Sequence, residues 1–114
     1  MADVVNHRID QYADYVFAVV YTDDAGVAVD LTGWTADMKV KDKFGGSLLD
    51  EFSTGNGYVT TDPLVGKVIV NINNTKTAAW AWTSAVYDLV LTSGSGFKFR
   101  IIEGTILVNP GVTN

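Results

Sequence analysis

The sequence contains no cysteine. Disulfides, thiolate metal centres and a cysteine nucleophile are therefore excluded together, and so is a small secreted domain held by disulfide staples. Histidine occurs once, as His7. A zinc site needs several His, Cys or carboxylate ligands at close spacing, and that spacing is missing. One histidine near a terminus gives no specific Ser-His-Asp arrangement either. Positive charge is scarce: eight Lys and Arg stand against thirteen Asp and Glu, a formal net charge of −5. A nucleic-acid footprint needs clustered Lys and Arg, so none is expected. No apolar run approaches the roughly 20 residues of a membrane span. Residues 1–7 carry no basic stretch ahead of an apolar run, so no signal peptide is expected.

Apolar residues and glycine are what the chain does have. Its 114 residues are 47% apolar, enough length and material for one domain with a true core. Eleven glycines against two prolines suggest many tight turns. Between the turns the composition is that of strands. Residues 4–10 read as a short first strand. Tyr15 to Thr22 is almost continuously apolar, the pattern of a strand covered on both faces. Asp23-Asp24-Ala25-Gly26 reads as a turn, and Val27 to Gly33 as a short extended segment ending in a bend. Trp34, Ala36, Met38 and Val40 then alternate with polar residues, the period of a strand with one dry and one wet face.

Further strands are expected over Ser47–Ser53, Tyr58–Thr61, Lys67–Ile72, Ser84–Thr92, Phe97–Glu103 and Thr105–Asn109, with Gly104 splitting the last two. Residues 73–82 do not read as a strand; Thr75 is placed to cap a single helical turn there. Turn signals recur every roughly 8–12 residues, the pattern of a sandwich. The expectation is a single all-β domain: an immunoglobulin-like antiparallel β-sandwich of seven to nine short strands, with at most one helical turn near 75–82.

Candidates for chemistry are few. Asp23, Asp24 and Asp30 are the one acidic grouping that could begin a calcium loop, since calcium wants six to eight oxygens; Asp is equally a plain turn residue. Asp50, Glu51, Asp88 and Glu103 show no spacing that pairs them as a glycosidase would need. Thr54-Gly55-Asn56-Gly57 lacks the Lys and helix of a phosphate loop. Lys39, Lys41 and Lys43 alternate along a strand and read as a solvated face. Trp34 reads as core. Trp80 and Trp82 share a face on an extended chain; exposed, they could stack on a sugar or anchor a partner, and buried, they would plug the core. No catalytic residue, metal ligand or cofactor is assigned, and no enzyme is expected.

One pattern spans nearly the whole chain: Val29-Asp-Leu-Thr-Gly-Trp34, Gly66-Lys-Val-Ile-Val70, Thr75-Lys-Thr-Ala-Ala79, Val86-Tyr-Asp-Leu89, Glu103-Gly-Thr-Ile-Leu-Val108 and Asn109-Pro-Gly-Val-Thr113. It resembles the small immunoglobulin-like sandwich proteins of tailed bacteriophages, similar to the N-terminal domain of baseplate upper proteins. The resemblance implies a non-enzymatic structural component of a virion, made in the bacterial host cytoplasm. Its partners would be other virion proteins, including copies of itself in a symmetric assembly. It would be a tail, baseplate or neck connector, or alternatively a capsid decoration protein. Residues 1–10 and 109–114 would be arms ordered by partners. The reading from another class is a carbohydrate-binding module using Trp80 and Trp82.

Overall fold

A computed structural model describes residues 3–111. The chain forms the expected all-β, immunoglobulin-like sandwich. Among the described residues its nine strands are β1 (Asp3–Val4), β2 (His7–Asp10), β3 (Tyr15–Val20), β4 (Thr35–Lys41), β5 (Leu48–Ser53), β6 (Val59–Asp62), β7 (Lys67–Ile72), β8 (Ser84–Thr92) and β9 (Lys98–Asn109). The larger sheet runs β1-β9-β8-β4-β5, with β2 also on β9; the smaller runs β3-β7-β6.

Alternation drives the packing. β8 and β4 bury every second residue, so Ala36, Met38 and Val40 lie against the core beside Ala85, Tyr87, Leu89 and Leu91. The smaller sheet contributes Val68, Val70 and Ile72 from β7 and Val59 from β6. Phe52 and Ile9 are also fully buried. Each large apolar side chain removed from water contributes roughly 1.5–3 kcal/mol.

The sandwich is not wholly antiparallel. β1 and β2 pair with β9 in parallel, Asp3 opposite Ile102 and Asp10 opposite Asn109. Residues 3–10, expected as an arm, are thus strands of this chain's own sheet, and Asn109 pairs with them. Met1, Ala2 and residues 112–114 of the expected arms lie outside the described residues.

Gly104 does not split β9, which runs unbroken through it. The register shift lies earlier, where Leu89 pairs with Ile102 but Val90 with Arg100, leaving Ile101 as the extra residue of a bulge. Gly104 instead admits the neighbouring backbone: a Cβ there would collide with the carbonyl oxygen of Val5.

Three further details shape the connections, and the last differs from expectation. Val27 to Gly33 forms no strand, only an isolated bridge of Ala28 to Thr22. A 3-10 turn, Pro63–Val65, closes on Gly66, whose missing Cβ lets Tyr21 and Val29 approach. The short helix α1 (Asn74–Ala78) is capped by Asn73, whose side chain accepts from the Lys76 N–H, rather than by Thr75.

Candidate functional site

Four places carry residues that the sequence singles out or that the fold brings together. The first is the corner made by α1. Trp80 is buried, 5% exposed, and its indole N–H donates to Asp50 Oδ2 at 2.8 Å. Its ring lies 4.7 Å from that of Trp82, which is half-buried against the core. Trp80 therefore cannot stack on a sugar or anchor a partner as a free surface would require; the pair plugs the core. Asp50 also takes Lys76 Nζ at 2.7 Å, and Lys76 lies 4.8 Å from the Tyr58 ring centroid and 5.3 Å from that of Phe52. Asp50 sits opposite the buried Val40, so it is a charge turned inward from the edge strand β5, held by a cation and an indole.

The second is the acidic loop. Asp23 Oδ1 accepts from the N–H groups of Ala25 and Val27. Asp30 Oδ1 accepts from the Thr32 hydroxyl and N–H, which hold its carboxyl below the ordinary range. Asp23 and Asp30 serve as turn acceptors, and no group of acidic or His residues able to hold a metal forms among the described residues. In the calcium-loop candidate Asp23, Asp24 and Asp30, one oxygen of Asp23 and one of Asp30 are committed to turn hydrogen bonds, and Asp24 makes no hydrogen bond among the described residues.

The third was not legible from the sequence. His7 is buried, between Tyr15 and Tyr87, with Nδ1 2.8 Å from one hydroxyl and Nε2 3.0 Å from the other. The Tyr87 hydroxyl donates to the Val5 carbonyl. Its oxygen must therefore accept from His7 Nε2–H, which leaves Nδ1 to accept from Tyr15. That chain of donors fits a neutral imidazole, and burial pushes the His7 pKa down and that of Tyr15 up. Phe17 packs against the imidazole face, centroids 4.3 Å apart. The cluster is a core element that ties β2 to β3 and β8.

The fourth is the outer edge of β3. Three of the sheet borders carry protection of the usual kinds. β5 has the inward charge of Asp50, β6 is only four residues long, and the far border of the larger sheet is made by β1 and β2, of two and four residues. β3 is six residues, Tyr-Val-Phe-Ala-Val-Val, without a charge, and it ends its sheet. Tyr15, Phe17 and Val19 turn inward, while Val16, Ala18 and Val20 face out, with Val16 57% and Val20 53% exposed. The expectation that both faces of this strand are covered does not hold within the chain. Beside its end, a cleft of about 380 Å³ separates Val19–Thr22 from Lys98–Ile101 of β9. Tyr21, Trp34 and Phe99 cluster there, the last two stacked with centroids 5.7 Å apart; Trp34 is thus half-buried against the core rather than enclosed in it.

No family model and no curated protein matches the chain. Among solved structures it is similar to CopC from Methylosinus trichosporium OB3b, at 15% identity and a TM-score of 0.48, covering 99% of this chain and 88% of that one. It is also similar to extracellular domains 3–5 of Drosophila OTK, at 12% identity and a TM-score of 0.42, covering 90% of this chain and 32% of that one. At these identities and scores neither likeness bears on ligand or role.

Proposed function

We propose that this chain is a non-enzymatic structural module of a tailed-phage virion that binds another virion subunit by strand addition at β3. The observation that carries the binding mode is the mismatch on β3. Its composition is that of a strand with two dry faces, yet Val16, Ala18 and Val20 are exposed and its outer border is unpaired. An extended segment rich in β-branched residues would satisfy that border with main-chain hydrogen bonds and cover the three side chains. The assignment to a virion rests on the resemblance in residues 29–34, 66–70, 86–89 and 103–113 to phage sandwich proteins. A connector of tail, baseplate or neck is the first reading, and a capsid decoration protein would use the same edge.

Mass spectrometry of particles purified from the phage that encodes the chain tests the role. The expected result is the chain at a fixed copy number per particle. Its absence from intact particles would refute the assignment. The glycan reading is disfavoured by the burial of Trp80, which leaves Trp82 without a second platform.

A further inference from the structure

The charged residues are distributed unevenly over the fold. Four of the chain's eight Lys and Arg line one groove of about 270 Å³ on the outer face of the larger sheet: Lys39, Lys41, Lys43 and Arg100. The groove contains one acid, Asp88, already paired with Arg100 at 3.1 Å. Lys39 lies 3.8 Å from Asp37. Lys41 and Lys43 have no ion pair among the described residues, and Phe44 at the rim is 76% exposed.

The opposite charge collects at the other end of β4. Asp23, Asp24, Asp30 and Asp62 are all exposed. Their two loops are joined by hydrogen bonds from Leu31 N–H to the Pro63 carbonyl and from Tyr21 N–H to the Gly66 carbonyl. β4 starts beside these loops, where Trp34 N–H donates to the Leu31 carbonyl, and ends at Lys41. Its seven residues separate the two charges by roughly 20 Å, along a molecule 44 Å in its longest dimension.

We infer that this chain associates with a second copy of itself head to tail, the aspartate loops of one copy seating in the lysine groove of the next. The occupant is argued from charge complementarity. The groove is lined by four cations and one acid, with Glu51 cross-strand from Lys39 at its border, and the loops carry four exposed aspartates of opposite sign, Asp62 with Lys67 cross-strand from it, at the far end. Such a contact is heterologous, so it propagates into a ring or a filament rather than closing a two-fold dimer. The inference deepens the reading of the chain as a building block and rests on it, but uses a surface separate from β3.

The test is sedimentation of the purified chain against salt, with charge-reversal variants. Lys41→Glu with Lys43→Glu removes the groove's free cations. Asp24→Lys with Asp62→Lys inverts the loops at carboxylates that make no hydrogen bond among the described residues, so the turns are kept. Association is expected at about 0.02 M NaCl and a loss of at least about tenfold in affinity at 0.5 M, where screening reaches a few ångströms. Each variant alone is expected to sediment as a monomer, and their equimolar mixture to associate again. A wild-type monomer at low salt, salt-independent association, or a mixture that fails to associate would overturn the inference. Incorporation of the monomeric variants into particles would separate its failure from that of the virion role.

Discussion

His7 shows how much one residue can hold without chemistry. Its ring joins partners eight and eighty positions away, and the Tyr87 proton, committed to Val5, fixes the order of every donor. Burial lowers its pKa in the folded chain, so the unfolded chain binds a proton first as pH falls below about 6.5. Stability is therefore full above that pH and declines below it. In an Asp37→Asn background, which removes the opposing carboxyl, urea unfolding is expected to give a lower midpoint at pH 5.5 than at pH 7.5. His7→Phe keeps the ring volume and removes both hydrogen bonds. It is expected to cost about 1–2 kcal/mol at pH 7.5 and to lose this component of the pH dependence. Asp37 acts in the opposite sense. Burial, then the hydrogen bond with Glu51 and its charge, push its pKa to about 6, and Lys39 pulls the other way. Its Oδ1 is buried without a partner, so the stability lost on ionisation grows as pH rises from 3.8 to about 6 and is complete above that. Asp37→Asn is expected to raise the urea midpoint at pH 7.5, to raise it less at pH 5, and to change it little only below the unfolded carboxyl's pKa of 3.8. The gain is on the order of 1 kcal/mol or less, because solvent screens a group this exposed. Neither residue was legible in the sequence as more than a terminal histidine or a strand aspartate, because their partners are brought in by pairing between distant strands.

At the scale of elements, legibility followed locality. β4 could be read from alternation alone, because period two is a property of the strand itself, and β7 and β8 from their runs of β-branched and apolar residues. The parallel pairing of β1 and β2 with β9 could not, since it joins residues about a hundred positions apart. The bulge at Ile101 was also hidden, and Gly104 drew the break to itself because a glycine in a strand marks either a bulge or a close backbone. The α1 corner was half legible: residues 73–82 read as non-strand, but the inward Asp50 comes from an edge strand far earlier. Lys76→Met is expected to destabilise by about 1–3 kcal/mol, since it leaves the Asp50 carboxylate without a counter-charge, held by the N–H groups of Trp80 and Glu51 alone. Adding Asp50→Asn is expected to recover part of that loss, giving a non-additive double-mutant cycle by thermal or urea unfolding. Additive losses would show that the pair is not coupled. Asn73→Ala is expected to cost about 1 kcal/mol through the lost cap.

At the scale of the molecule, the sandwich leaves one border unlike the others. β5 carries an inward charge and β6, β1 and β2 are short, whereas β3 combines full strand length, no charge and three exposed apolar side chains. A long uncharged edge of that kind templates pairing with another chain, which is the binding mode proposed above. The direct measurement compares particles assembled with the wild-type chain and with the double variant Val16→Lys, Val20→Lys. Both substitutions fall on the exposed face, so the variant is expected to unfold within about 0.5 kcal/mol of the wild type. Lysines on an edge block strand addition. The account predicts wild-type chain in purified particles and none of the folded variant; a variant incorporated at the wild-type copy number would contradict it.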